Sequence, residues 1–74
     1  MDIGMLWFDN DPKTDLATKL IKASSYYLKK YGKAPNLCFV HPSMISQFTA
    51  KTEGLEIRQN PVIRPHHFWL GRQL

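Results

Sequence analysis

One segment with a helical repeat of apolar residues constrains the fold of this chain more than any other feature. Across residues 12–31 the apolar side chains recur at the spacing of one helix face, and lysines gather on the opposite face. Asp11 is predicted to cap the start of this helix, with Pro12 in the first helical position. Gly32 is predicted to end it in a left-handed conformation. The predicted apolar face consists of Leu16, Ala17, Leu20, Ala23, Ser24, Tyr27, Leu28 and Tyr31.

Apolar runs on both sides of the helix are predicted to be strands. Residues 3–8 end in an Asp-Asn-Asp-Pro turn, and residues 37–40 lie between two prolines. Strand, helix and strand predict a βαβ unit, whose two strands lie side by side and run in the same direction. Residues 43–48 are expected to form a short helix capped by Ser43, followed by a polar connection over residues 49–54.

The last third of the chain is predicted to form two strands. Residues 55–59 and 62–70 alternate between apolar and polar side chains, and Asn60-Pro61 is the expected turn between them. Pro65 has no N–H for a β-ladder, so the second strand is expected to lie at an edge or to break there. Beyond Pro65, Phe68 and Leu70 are predicted to share one face, and His67 and Trp69 the other.

These elements predict the fold class α/β, with α+β as the alternative. The expected architecture is a small mixed sheet of three or four strands: a βαβ unit, a short helix and a C-terminal strand pair, with one main amphipathic helix. The length of 74 residues allows one domain, so residues 1–74 are expected to form a single small domain. No apolar run approaches the roughly 20 residues that cross a bilayer. With the lone Cys38, this predicts a cytoplasmic protein without a membrane partner.

Positive charge is concentrated on the predicted helix. The chain has a net charge of +4, while residues 13–33 hold six lysines and one aspartate, a net charge of +5. A row of ammonium groups with an aromatic ring among them can follow a phosphate backbone and stack on a base. We therefore predict a small non-enzymatic binding module that presents this face to an anionic partner, either nucleic acid or an acidic protein. The alternative is an ordinary solvated helix face. The predicted anion-binding residues are Lys19, Lys22, Tyr26, Lys29, Lys30 and Lys33.

A second hypothesis places a divalent metal at one edge of the sheet. Asp9, Asp11 and His41 follow the two predicted parallel strands, and the carboxyl ends of such strands meet at one edge. Carboxylates and an imidazole suit a divalent cation, which would make the chain a metal-dependent hydrolase or nuclease. The enzyme ranks second because the chain has few acidic residues for such a site. Under the favoured hypothesis no cofactor is expected.

The aromatic residues predict a surface for association. One helix cannot cover both faces of a sheet, and small proteins often bury such surfaces against a copy of themselves or a partner protein. Trp69 and His67, near the C-terminal end, are the predicted interface residues, whereas Trp7 is expected to pack against a helix. Cys38 is expected to be a buried small hydrophobe rather than a nucleophile.

Overall fold

The computed structural model describes residues 4–45, 49–52 and 54–73, and for residues 49–52 it describes the backbone only. It confirms a mixed α/β fold with one main helix. A short 3-10 turn, Pro42–Met44, follows the second strand. The elements are β1 (Gly4–Phe8), α1 (Leu16–Tyr31), β2 (Leu37–Val40), β3 (Thr49–Thr52), β4 (Leu55–Gln59) and β5 (His67–Gly71).

The strand order β1-β5-β2-β4-β3 differs from the predicted topology in two places. β1 and β2 run in the same direction, as predicted, because both are antiparallel to β5, but β5 lies between them. β4 and β5 do not form the predicted pair, since β2 separates them and is parallel to β4. The apolar pattern of a strand reports how deeply it is buried and carries no information on which strand is its neighbour.

The end of α1 agrees with the prediction, whereas its start lies four residues after the predicted start at Pro12. Gly32 adopts a φ of 78° and its N–H donates to the carbonyl of Leu28. At the start, the carboxylate of Asp15 accepts from the N–H of Thr18 at 2.8 Å and caps the helix. Asp11 instead accepts from the N–H of Lys13 at 2.9 Å and from the hydroxyl of Thr14 at 2.8 Å. Asp11 therefore holds a separate turn ahead of the helix.

Three connections also differ in detail from their predictions. The turn after β2 is capped by His41, whose Nδ1 accepts from the N–H of Ser43 at 3.0 Å, so Ser43 is not the cap. The rest of that predicted short helix, residues 46–48, lies outside the described residues. β3 occupies most of the predicted polar connection and adds a fifth strand to the sheet. β5 begins at His67, after the predicted break at Pro65, and is an inner strand.

The core lies between α1 and one face of the sheet. Leu20, Ala23 and Tyr27 of the helix are buried against alternate residues of four strands. The sheet side of this core consists of Met5, Cys38, Val40, Leu55, Ile57, Phe68 and Leu70. Within the described residues, no helix has the length and apolar character needed to cross a membrane.

Candidate functional site

Four lysines and one tyrosine form an exposed flank on α1 and its C-terminal cap, which we call the lysine flank. Tyr26 is half exposed, and all four lysines are exposed. The sequence contains no Asp or Glu from residue 16 to residue 52, so no carboxylate of the helix itself neutralises this flank. The members are Lys22, Tyr26, Lys29, Lys30 and Lys33.

Lys19, the sixth residue predicted for this surface, does not belong to it. Its side chain is only 5% exposed, and its Nζ donates to the backbone carbonyl of Asp9 at 3.3 Å. A lysine can lay its apolar stem along the core while its ammonium group finds an oxygen at the margin. Lys19 thus fastens the start of α1 to the loop that follows β1, and its ammonium group is not presented to a partner.

Contacts between rings fix the position of the lysine flank relative to the sheet. Tyr26 packs on Trp7 of β1 with ring centroids 5.2 Å apart and a tilt of 48°. This contact confirms that Trp7 packs against the helix, and it places the lysine flank above the β1 edge of the sheet. Lys30 lies over the ring of Tyr31 at 5.3 Å, within cation–π range. The contact with Trp7 holds the ring of Tyr26 in place and leaves part of its surface open to solvent.

The acidic residues of the described chain near α1 lie at its N-terminal end. Hydrogen bonds from Lys13 and Thr14 lower the pKa of Asp11, and the charges of Lys19 and Lys22 lower it further. The C-terminal half of the flank has no such counter-charge on the helix. Lys29 and Lys30 lie in the last turn, where the helix dipole favours positive charge. The positive charge of the lysine flank is therefore concentrated near the C-terminal end of α1.

The residues predicted for the metal site are engaged separately. Asp9 accepts from the N–H of Asp11 at 3.0 Å, and Asp11 is used within its own turn. The Nδ1 of His41 lies 2.8 Å from the hydroxyl of Ser43, within the turn that it caps. In residues 4–45, 49–52 and 54–73, no three His, Cys, Asp or Glu side chains are placed to hold a metal ion.

The two neighbouring histidines differ in exposure, because His66 lies in the turn before β5 and His67 is the first residue of that strand. His66 is exposed and has a φ of 67°, whereas His67 is partly buried at the start of β5. The Nδ1 of His67 lies 3.0 Å from the carbonyl oxygen of Pro65, which accepts only, so this nitrogen carries the proton. The imidazole of His67 packs on the ring of Phe8 at 4.8 Å.

The predicted burial of Cys38 is confirmed. Its side chain is fully buried in β2, and this burial raises the pKa of the thiol to about 12. A nucleophilic cysteine needs a lowered pKa and an accessible sulfur. Cys38 therefore contributes to packing and not to chemistry.

The sequence analysis missed the breadth of a second surface, which we call the open face. It is the side of the sheet opposite α1, where Leu6 is 60% exposed, Phe8 is 57% exposed, and Phe39 and Trp69 are partly buried. Phe39 and Trp69 are register partners on β2 and β5, with ring centroids 5.7 Å apart. At Gly4 the indole of Trp69 fills the space of a side chain, since an added Cβ would lie 2.1 Å from its Cζ2. Alternation in β1, with Leu6 and Phe8 on one side, was the available signal.

A groove of about 380 Å³ runs along the other flank of α1. The exposed side chains of Ile21 and Leu28 border it, and Leu55 of β4 and Pro35 close it from below. Ser24 and Ser25 supply its polar groups. The groove is shallow and lies on the opposite side of the helix from the lysine flank.

The comparisons with known proteins add nothing to this geometry, because no family model, curated protein or solved structure matches the chain.

Proposed function

We propose that this protein is a small non-enzymatic binding module that binds single-stranded nucleic acid through the lysine flank. The observation that supports this function most directly is the cluster of four exposed lysines around a half-exposed tyrosine, on a helix without acidic residues. Lysine ammonium groups attract phosphates without reading sequence, and an exposed ring stacks on any base. Binding is therefore expected to tolerate different sequences and to weaken with salt.

A nucleic acid suits the flank better than an acidic protein because of Tyr26. Its ring is fixed against Trp7 but keeps half of its surface exposed among the lysines. An acidic protein would use the ammonium groups alone, whereas a single strand would use the ring as well. We also propose a cytoplasmic location, since the one cysteine of the sequence is buried with no second thiol to pair with.

The decisive experiment is a fluorescence-anisotropy titration with a labelled single-stranded oligonucleotide at several salt concentrations. For single strands the slope of log K against log salt is about −0.7 per phosphate neutralised, so four lysines give at most about −3. The double variant Lys29→Gln/Lys33→Gln should lose about 1.4 of this slope. The control Lys13→Gln/Arg64→Gln removes the same charge from exposed positions outside the flank. This control should retain the salt slope of the wild type. Equal losses in both variants would show that net charge, and not the flank, drives binding.

Tyr26→Leu separates base stacking from charge. Leucine retains an apolar contact for Trp7 but removes the ring, so oligonucleotide affinity should fall by about 1–3 kcal/mol. Binding of inorganic polyphosphate, which has no bases, should not change. If poly-glutamate binds as tightly as the oligonucleotide and Tyr26→Leu affects neither, the partner is an acidic protein. If nothing binds at low salt, the proposed function is wrong.

The metal-dependent hydrolase gains no support from the arrangement of the described residues. The carboxylates of Asp9 and Asp11 accept hydrogen bonds from their own turn, and no third ligand converges on them.

A further inference from the structure

The strand β1 is an edge of the sheet, and its outer side pairs with no described element. β5 lies on its inner side, and the register between the two runs from Gly4 to Phe8 without a bulge. Natural edge strands are protected against further pairing by lysine, proline or a bulge. The edge strand at the other end, β3, contains a lysine, whereas the sequence of β1 has neither a charged residue nor a proline. β1 is therefore an unprotected template for a further strand.

The outward backbone groups of β1 belong to Leu6 and Phe8. Asp9 lies opposite His66 when the β1–β5 register is continued, and its N–H donates to the carbonyl of His66 at 3.0 Å. Hydrogen-bonded pairs alternate with non-bonded pairs along an antiparallel ladder, so Trp7 also bonds to β5, and the N–H and C=O groups of Leu6 and Phe8 point away from the sheet. The free edge of β1 thus presents backbone donors and acceptors in alternation.

Alternating donors and acceptors fit another peptide backbone. The phosphates of a nucleic acid accept hydrogen bonds and do not donate them, so they would leave the outward carbonyls of β1 unpaired. An extended peptide satisfies both kinds of group. In this mode of recognition the main-chain hydrogen bonds supply affinity, and alternate side chains of the peptide supply specificity. The free edge of β1 therefore fits an extended peptide.

The charges beside β1 favour an acidic peptide over a second copy of this chain. On the helix side of the sheet, Trp7 packs on Tyr26, which belongs to the lysine flank. On the open face, exposed Arg64 lines a pocket of about 400 Å³ with Leu6 and His67, and it forms no ion pair with a described carboxylate. Two copies joined through β1 would bring like charges together, which opposes their association. Carboxylates of a partner would instead be attracted on both sides of the strand.

We propose that β1 binds an extended peptide of a partner protein as an added strand, and that apolar and acidic side chains alternate along this peptide. Residues directly opposite each other on neighbouring strands have their side chains on the same side of the sheet. The peptide residues opposite Leu6 and Phe8 therefore lie on the open face, beside side chains that are more than half exposed, and are apolar. The peptide residue opposite Trp7 lies on the side of the lysine flank and is acidic.

Selection from a random library of displayed peptides, without nucleic acid, tests this proposal independently of the proposed function. Each peptide is about seven residues long, so that it can span β1. The enriched sequences should alternate apolar and acidic residues, and one of them is then synthesised with a fluorescent label. In an anisotropy titration, Leu6→Pro should bind this peptide about two- to tenfold more weakly than Leu6→Ala, because it loses one outward hydrogen bond as well as the side chain.

Three controls accompany this comparison. Leu6→Pro should keep the β1–β5 ladder, since a proline is tolerated where the N–H of an edge strand faces solvent, and circular dichroism checks that each variant is folded. Leu28→Ala shortens an exposed side chain beside the groove and should bind the peptide as the wild type does. Leu6→Pro should also bind the oligonucleotide as the wild type does, so that failure of this proposal and failure of the proposed function are distinguished.

Amide hydrogen exchange followed by NMR tests the pairing in the wild type without any substitution. The synthetic peptide should slow exchange at Leu6 and Phe8, whereas the amide of Trp7, which already bonds to β5, should change little. A library that enriches no sequence would overturn the proposal, and so would a peptide that Leu6→Pro and Leu6→Ala bind equally well. Protection of the Leu6 and Phe8 amides that rises with protein concentration in the absence of peptide would also overturn it, because a second copy would then occupy the edge.

Discussion

Replacing Gly4 with alanine tests the arrangement of the open face directly. An alanine Cβ would lie 2.1 Å from Cζ2 of Trp69, 2.6 Å from its Cε2 and 2.9 Å from its Nε1. Carbon atoms pack at about 3.5–4.0 Å, so the indole must move by about 1.5 Å. The ring of Phe39 packs against the indole on the next strand, so this shift disturbs the aromatic pair as well.

Forcing one extra methyl group into a packed site costs about 1–3 kcal/mol. In a domain of 60–100 residues each kcal/mol lowers the melting temperature by about 4–8 °C, so Gly4→Ala should lower it by about 4–24 °C. The displaced indole should also become more hydrated and fluoresce at longer wavelength. A Trp7→Phe background isolates this emission, because the chain has two tryptophans.

Gly54→Ala is the matched control for a glycine replacement. Gly54 has a φ of 76° and nothing within 4 Å of an added Cβ. Its replacement should cost about 1–2 kcal/mol of backbone strain and leave the emission of Trp69 unchanged. If Gly4→Ala alters neither the melting temperature nor the emission, the indole does not lie over Gly4, and the described open face is incorrect.

Three further substitutions or modifications test other parts of the structure. Lys19→Met should lower the melting temperature by a few degrees, because it removes the hydrogen bond to the carbonyl of Asp9 at similar side-chain volume, and anisotropy should show unchanged oligonucleotide affinity. A loss of oligonucleotide affinity would show that Lys19 belongs to the binding surface after all. The hydrogen bond from Thr18 lowers the pKa of Asp15 below 3.8, so its stabilisation is present above that pH and is lost as pH falls through the lower folded value. Urea unfolding should therefore show Asp15→Ala less stable than the wild type at neutral pH, with the gap closing in acid; a gap independent of pH would contradict this cap. Iodoacetamide should modify Cys38 only on unfolding, as followed by mass spectrometry, because its thiol is buried with a pKa of about 12. Rapid modification of the native protein would be inconsistent with that burial.

The helix was predictable because its signals are local. Gly32 ends α1 as expected, since a left-handed residue after an apolar repeat is a feature of a few consecutive residues. The start was misplaced because Asp11 and Asp15 are equally good caps, each with a threonine three residues later. The pattern does not decide between them. Asp11 closes its own turn with Thr14, and the helix begins only after Asp15.

The sheet order was less predictable because pairing between distant strands leaves no local trace. β5 inserts between β1 and β2, although it is the last strand in the chain. Its alternation was read correctly: Phe68 and Leu70 are buried, and His67 and Trp69 are on the other side. The neighbours of β5 depend on which other strands present matching apolar surface, which a single-strand pattern does not contain.

The lysine flank was predictable from the sequence except for Lys19. The position of Lys19 around the helix axis explains this exception. Lys19 lies at the margin of the helix face that contacts the core, where a long side chain can turn either to solvent or inward. It turns inward because the loop after β1 offers it the carbonyl oxygen of Asp9. That oxygen is ten residues away in sequence, so its position depends on the folded loop and not on the helical pattern.

The insertion of β5 positions both the lysine flank and the open face. It places Trp69 between Leu6 and Phe39, so apolar side chains of three adjacent strands form one continuous patch. It also moves β1 to the sheet edge, where Trp7 supports Tyr26 beneath the lysine flank. A single 16-residue helix covers only one side of a five-stranded sheet, so no other helix of the described residues covers the patch on the other side. The lysine flank and the apolar patch therefore lie on opposite sides of the sheet.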